Sequence, residues 1–366
     1  MKGKIGVVVS AALLFGSAQA ALAADPVATG SDKVKVKLYG QVNRAALIVS
    51  DGDETNYYFV DNDASSTRLG IKAESKAEGD LSFGLKFEVQ MESNSTASVG
   101  RGNDDDGGAS FTERHMDVYA KHKRFGTLSL GQGDTASNGS AEVDLSGTSL
   151  AGYSDISTFA GGQYFWDNSA EALSGVKVKD VFKNYDGLSR RDRVRYDSPS
   201  LFGFTLSGSL VQEDRCDVAL RYTGKVAGLK IEAAVAHAYE GTAARTEANS
   251  GSISVLHDSG INLTVASAKQ VRDQSGREDP TYFYGKLGYQ RKFSDLGKTA
   301  FSVDYGVFND VKQDDDEAKV FGVQLVQKLD EYGTELYAGY RSHDLDRKGG
   351  DFDTISGFLA GARVKF

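Results

Sequence analysis

Cysteine is almost absent from this 366-residue chain: Cys216 is the only one, so no internal disulfide can form. Proline is scarce as well, limited to Pro26, Pro199 and Pro280, and no Pro-rich or Ser-rich tract divides the sequence. A length that would suggest two soluble domains therefore reads as one large domain. After the first 23 residues there is no run of about 18 apolar residues, which argues against a transmembrane helix. Positive charge is in deficit, with 42 Lys and Arg against 51 Asp and Glu, a net charge of −9 that argues against nucleic acid as the partner. Catalytic groupings are missing too. His115, His122, His237, His257 and His343 are scattered without metal-ligand spacing, no G-x-S-x-G elbow occurs, and Cys216 has no evident partner base. No enzyme activity, cofactor or metal centre is expected.

What is present begins with an export signal. Lys2 and Lys4 precede a mostly apolar stretch over residues 5–16 that is too short to span a bilayer. Ala21-Leu22-Ala23 is a small-x-small cleavage site, with Ala18-Gln19-Ala20 as a competitor. Residues 1–23 are expected to be a cleaved leader and residues 24–366 the single mature domain. Losing Lys2 and Lys4 takes the net charge to −11.

The mature sequence is dominated by period two. Leu81, Phe83, Leu85, Phe87, Val89 and Met91 alternate with Ser82, Gly84, Lys86, Glu88 and Gln90. That is a strand with one apolar and one wet face. Val34, Val36 and Leu38 alternate with Lys35, Lys37 and Tyr39, and Phe301, Val303, Tyr305 and Val307 with Ser302, Asp304 and Gly306. The last segment sets Phe358, Ala360, Ala362, Val364 and Phe366 against Gly361, Arg363 and Lys365. About sixteen such segments fit between residues 33 and 366, each near the ten or so residues of a tilted membrane strand. Seven connections are tight, such as Arg124-Phe125-Gly126 and Ser259-Gly260, while most of those between them are longer and acidic, as over residues 51–63 and 310–317. Short turns at one end and long loops at the other predict an all-β, transmembrane antiparallel β-barrel. A closed barrel leaves no strand edge unsatisfied in lipid.

One connection, residues 134–188, is out of scale. It is rich in Gly, Ser and acid, including Glu142, Asp144 and Asp155, and carries Tyr153, Phe159, Tyr164, Phe165 and Trp166. Long loops in compact domains are usually functional. Two readings stay open, an external cover and a loop folded into the lumen. The strand that follows sets Arg191, Arg193 and Arg195 two apart, opposite Val194 and Tyr196. Arginine on the lipid face would cost about 2–4 kcal/mol at the midplane, so these three should face the lumen. The same parity turns Arg68 and Lys72 inward, because Leu69 and Ile71 suit lipid. Arg114 shares parity with Met116 and Val118 and needs a bulge or a rim position to face inward; Arg44 poses the same problem. Charges about 8–10 Å apart in a partly aqueous medium interact by roughly 0.4–2 kcal/mol, enough to bias passing ions without trapping them.

At these residues the chain resembles the Gram-negative general porins, the sixteen-stranded trimeric family. The matching pieces run in order along the chain: Leu38-Tyr39-Gly40, then Ser66-Thr67-Arg68-Leu69-Gly70-Ile71-Lys72 with Gly84-Leu85-Lys86-Phe87-Glu88, and Phe125-Gly126-Thr127-Leu128-Ser129-Leu130-Gly131. Arg195-Tyr196-Asp197-Ser198-Pro199, Phe202-Gly203-Phe204 and the terminal Phe366 complete the set. The resemblance implies a water-filled channel in the outer membrane of a Gram-negative bacterium for ions and small hydrophilic solutes. A substrate-selective channel for sugars, phosphate or dicarboxylates is the alternative. The resemblance also implies a third loop folded into the lumen as a constriction, a homotrimer, and contact with outer-membrane lipid and lipopolysaccharide. Carried over by position, Arg68 matches the wall arginine of the second strand and Arg114 that of the fourth, with Arg191, Arg193 and Arg195 on the sixth; with Lys72, inward by parity, they would form the pore-lining basic wall, while Glu142, Asp144 and Asp155 match the general acidity of the constriction loop. Phe358, Val364 and Phe366 resemble the signal read by the barrel-assembly machinery. Two departures, Gln41 and Gln132 where relatives place basic residues, weaken the basic wall and any preference for anions. The acidic runs Asp104-Asp105-Asp106 and Asp314-Asp315-Asp316 read as solvated loop tips.

Overall fold

The computed structural model describes residues 33–366 apart from 76–78, 105–107, 109, 242–245 and 274–275. The expected leader, residues 1–23, lies outside the described residues. Period-two alternation forms β1 (Val34–Ser50), β2 (Thr55–Asp61), β3 (Arg68–Ser75), β4 (Leu81–Glu92), β5 (Ser110–His122) and β6 (Gly126–Asp134). A long insertion follows. It holds a small hairpin, β7 (Tyr164–Asp167) and β8 (Ala172–Lys177), and the one-turn helix α1 (Val178–Val181). The wall resumes with β9 (Arg190–Asp197), β10 (Phe204–Val211), β11 (Arg215–Val226), β12 (Leu229–Tyr239), β13 (Thr246–His257) and β14 (Ile261–Arg272). It ends with β15 (Thr281–Ser294), β16 (Gly297–Asn309), β17 (Glu317–Leu329), β18 (Thr334–Asp346) and β19 (Ile355–Lys365).

Every neighbouring pair in the wall is antiparallel, and β19 returns to β1 from Gln41↔Lys365 to Ser50↔Ser356, closing the cylinder. β2 and β3 are two halves of one wall strand. β1 pairs with β2 above Arg44 and with β3 below Gln41. The barrel therefore has sixteen strands. Closure also explains the Leu38-Tyr39-Gly40 piece. Gly40 and Phe366 exchange two backbone hydrogen bonds of 3.0 and 3.1 Å, and a Cβ on Gly40 would lie 2.5 Å from the Phe366 ring. Only glycine leaves room for that ring to cover the seam.

The molecule is inside out relative to a soluble protein. Phe83, Leu128, Leu206, Leu263, Phe283 and Phe301 lie on the outer face, each about half exposed, while Asn43, Glu88, Asp304 and Arg341 point inward and are buried. Such an outer surface requires lipid.

The second strand departs from the sequence reading. Residues 51–63, expected as a loop, form a tight turn and then β2. Tyr58 and Val60 are buried while Tyr57 and Phe59 point outward, so both faces are apolar and the alternation is hidden. Between β2 and β3, residues 62–67 leave the wall. The short 3₁₀ turn Asp63–Ser65 is capped by Asn62, whose Oδ1 accepts the Ala64 N–H at 3.0 Å.

Candidate functional site

The connection between β6 and β9, residues 135–189, folds into the lumen. Its approach to the wall is prepared by small hydroxyl residues. Ser209 on β10 and Ser252 and Ser254 on β13 face inward, and their Oγ atoms accept the backbone N–H groups of Ala136, Val143 and Leu145 at 2.7, 2.9 and 2.9 Å. Those acceptors satisfy backbone groups that a buried loop would otherwise orphan. Asp217 on β11 takes the Ser137 N–H at 2.9 Å. Farther round the wall, charged side chains take over. Lys286 on β15 is completely buried, with Nζ 2.7 Å from Asp144 Oδ2 and donating to the Gly152 carbonyl at 2.6 Å. Arg341 on β18 and Asp304 on β16 form a fully buried pair at 2.6 Å. Asp304 also accepts from Tyr284 at 2.8 Å and Gln324 at 2.9 Å, and Arg341 donates to the Tyr153 carbonyl at 2.7 Å.

Apolar residues of the loop supply the rest of the adhesion. Phe159, Phe165, Val178, Val181 and Phe182 are buried. The Phe182 ring meets Phe308 of the wall edge-on at 5.1 Å, and Tyr282 stacks on Phe308 at 5.2 Å. The protein's hydrophobic core thus lies between loop and wall, within the lumen.

A polar cavity of ≈ 800 Å³ stays open between the loop and the β3–β5 wall. Around it stand Arg68 and Arg114 with Asp63 and Glu92 on the wall side, and Lys183, Glu142, Asp144, Asp155 and Asp186 on the loop, with Arg190 where the loop rejoins the wall. Arg114 reaches this position through a β-bulge. Glu88 pairs with His115 and Val89 with Glu113, leaving Arg114 as the extra residue, so it and His115 both turn inward. Its Nε then donates to Glu88 at 2.8 Å, and Arg68 stands 3.7 Å from the same carboxylate. Arg44 meets Asp61 and Ser93 at the break in the second strand.

The other basic residues expected on this wall lie apart from the cavity. Arg193 is buried and donates to the Gly131 carbonyl at 2.8 Å, the Asp134 carbonyl at 3.0 Å and Asp117 at 2.7 Å. Arg195 binds Asp197 at 2.7 Å and the carbonyls of Asp134 and Thr135 at 3.2 and 2.8 Å. Both pin the start of the loop. Arg191 is exposed, with no side-chain hydrogen bond or ion pair among the described residues, and Lys72 sits 5.3 Å from the centre of the Tyr39 ring. Among the loop acids, Asp144 is held by Lys286, Glu142 accepts from Asn184 at 2.8 Å, and Asp155 caps the short turn Ile156–Thr158.

Asp63, Glu92, Asp186 and Arg190 were not singled out in the sequence. Arg190 adjoins the arginine run but sits at the first residue of its strand, where parity says nothing. The wall clamps Lys286, Asp304 and Arg341 carried a readable signal: single charges at inward positions mid-strand. The loop carboxylates crowd one another. Burial, Asp186 and Asp155 push Glu142 well above the usual carboxylate range. Burial and Asp155 hold Asp186 up to about 7, against the N–H groups of Gly139 and Ala141 that favour its charged form. Burial and Asp63 raise Asp155.

Phe358, Val364 and Phe366 all point outward, as alternation requires. Asp104 is described while Asp105 and Asp106 lie outside the described residues; Asp314 bonds Arg277 at 2.9 Å and Asp316 bonds Arg347 at 2.6 Å.

No curated protein matches this sequence. Among solved structures, the anion-selective porin of Comamonas acidovorans superposes with a TM-score of 0.62 at 17% identity, covering 91% of this chain and all of that one. The trimer form of OmpT of Vibrio cholerae gives 0.60 at 15%, over 92% and 100% of the two chains. OmpF of Salmonella typhi, in complex with daunomycin, gives 0.60 at 13%, over 92% and 98%. At such identities these likenesses concern the fold. The family model for the Gram-negative porins matches residues 9–348, nearly the whole chain. An inside-out barrel with a loop-narrowed polar lumen is a route through a membrane and not a catalytic centre. The chain therefore belongs to the Gram-negative porin family and forms an outer-membrane channel for passive diffusion.

Proposed function

We propose that this channel passes small hydrophilic solutes with a preference for cations, set where loop 135–189 faces Arg68 and Arg114. The observation that carries the reading is the set of groups around the cavity: six acidic side chains against four cations, an excess of negative charge that develops as the raised loop acids ionise. The cations are also the more fully neutralised set. Arg68 and Arg114 share Glu88, and Arg190 is held by Asp134 at 2.9 Å. Among the six carboxylates only Asp144 has a cationic partner of that kind. In this reading Arg193 and Arg195 anchor the loop, and Arg191 and Lys72 add diffuse positive charge elsewhere in the lumen. The test is the reversal potential of single channels in a KCl gradient at pH 8. A potential of the sign that marks chloride preference would refute the proposal.

A homotrimer is supported by a separate observation. Below its turn, β2 pairs with β1 on one edge, but among the described residues its other edge has only the bridge Asp61↔Ser95. Tyr57 and Phe59 are exposed beside that edge at 75% and 68%, against 55% for the outward Phe83 of β4. An open strand edge cannot face lipid, and a second copy of the chain would cover it. Crosslinking in membranes is expected to give trimers, and a Phe59→Asp variant monomers. The outward Phe358, Val364 and Phe366 fit a signal for the assembly machinery, although lipid contact alone demands the same residues.

A further inference from the structure

At the short-turn, periplasmic end of the barrel, antiparallel register sets two lysine pairs directly opposite one another: Lys225 with Lys230 across β11 and β12, and Lys292 with Lys298 across β15 and β16. Like charges in that position repel and weaken the sheet. Both pairs open onto one concavity of ≈ 640 Å³, which the shorter turn 258–260 leaves between them and to which Arg291 adds a fifth cation. Only one carboxylate, Asp258, lines it, 3.0 Å from Lys225. Glu232 engages Lys230 at 2.7 Å, and the fully exposed Asp295 stands 3.6 Å from Lys292. Arg291 and Lys298 have no ion pair or side-chain hydrogen bond among the described residues. Alternation puts all four lysines on the lumen side, in step with the inward Ala234 and Ala300, while Arg291 shares the outward parity of Leu287 and Phe293.

We propose that this pocket binds a phosphoryl oxyanion at the periplasmic mouth of the channel. Ammonium groups act as compact point charges toward phosphate. Four lysines and an arginine lining one concavity match a group with three or more oxygens and multiple charge, whereas a monocarboxylate would leave most of them unanswered. Binding there relieves the repulsion that the register builds in. The phosphoryl group has two candidate sources: a soluble phosphorylated solute in the vestibule, or a lipid headgroup reached over Arg291 at the rim.

The test uses the full-length protein in detergent, titrated with inorganic triphosphate by equilibrium dialysis at low salt. One saturable site per chain is expected, weakening steeply with added salt. In a Lys292→Gln/Lys298→Gln variant Kd is expected to rise about tenfold. A Lys269→Gln/Lys319→Gln variant loses the same charge at the opposite end and should bind as the wild type does. These side chains are exposed, and unchanged heat-dependent gel mobility will show that each variant folds. Repeating the titration in micelles doped with phosphatidic acid, whose headgroup is a phosphomonoester, separates the sources. Competition supports the site with a lipid headgroup as its occupant, and independence supports a soluble one. Absence of saturable binding, or equal weakening in both double variants, would overturn the proposal.

Discussion

From β10 round to β19 the inward positions of the wall include Ser209, Ser252, Ser254, Ala266, Ala300 and Ala318, small side chains beneath the loop, set among the ion-paired clamps Lys286, Asp304 and Arg341. From β3 to β5 they are Arg68, Glu88, Gln90 and Arg114, long side chains beside open water. One wall gives up bulk at the points where loop backbone lies on it and ties the loop down with buried charges; the other keeps long charged side chains at the open cavity. Gly339 shows how close the covered side is. A Cβ there would lie 2.5 Å from the Ala151 carbonyl oxygen. The asymmetry of the lumen thus comes from side-chain size on the wall as much as from the loop's own sequence.

The covered wall breaks first where its charges are buried. Replacing Arg341 by Leu strands Asp304 with only Tyr284 and Gln324 as donors and frees the Tyr153 carbonyl. Losing one partner of a buried pair costs about 3–5 kcal/mol. The loop is expected to detach locally, raising single-channel conductance and open-channel noise and lowering the melting temperature. Wild-type conductance together with wild-type melting would mean that the loop is held by its apolar contacts alone. A smaller effect is expected from bulk without charge. Ser252→Leu forces a side chain between β13 and the loop backbone, a strain of about 1–3 kcal/mol. Ser82→Leu on the uncovered wall should stay within about 0.5 kcal/mol. Equal melting shifts for the two would erase the contrast between the walls.

Much of this architecture was legible in the chain. Alternation placed the wall strands, because one apolar and one wet face leave a signal that survives without tertiary information. The inner break at 62–67 and β2 were not legible, since Tyr58 and Val60 face a protein-filled lumen and remove the contrast. Arg114 shows the parity rule working by its failure: the sequence required a bulge to bring it inward, and the register shift lies at that residue. Arg193 and Arg195 show its limit. Parity gives the face of a side chain but not what waits there, and the carbonyls of Gly131, Asp134 and Thr135 come from the loop's own entry. Asp186 was invisible because it lies some forty residues along the loop from Glu142, brought back only by folding.

Charge on the two sides of the cavity gives the next, smaller effect. Removing one charge about 8 Å from a passing ion changes its energy by roughly 0.5–2 kcal/mol, with salt screening favouring the lower end. Arg68→Ser should therefore raise the potassium-to-chloride permeability ratio about two-fold or more, and Glu142→Gln should lower it or leave it unmoved at neutral pH. Shifts of the same sign in both variants would remove the opposition between wall and loop.

The mildest test uses pH alone. Asp186 carries a pKa near 7, and its neighbours Glu142 and Asp155 are raised as well. Below that range the loop is partly protonated and its excess negative charge falls; above it the carboxylates ionise while Arg68 and Arg114 keep their charge. Cation preference is therefore expected to increase as pH rises from about 6 to 8, by less than two-fold in permeability ratio at physiological salt. Asp186→Asn should flatten that part of the profile and loosen the loop slightly, because the N–H groups of Gly139 and Ala141 meet different oxygens of Asp186 and only one of them can still donate to the amide oxygen. A profile that keeps its slope in this variant would transfer the titration to Glu142 and Asp155, the other raised acids of the cluster.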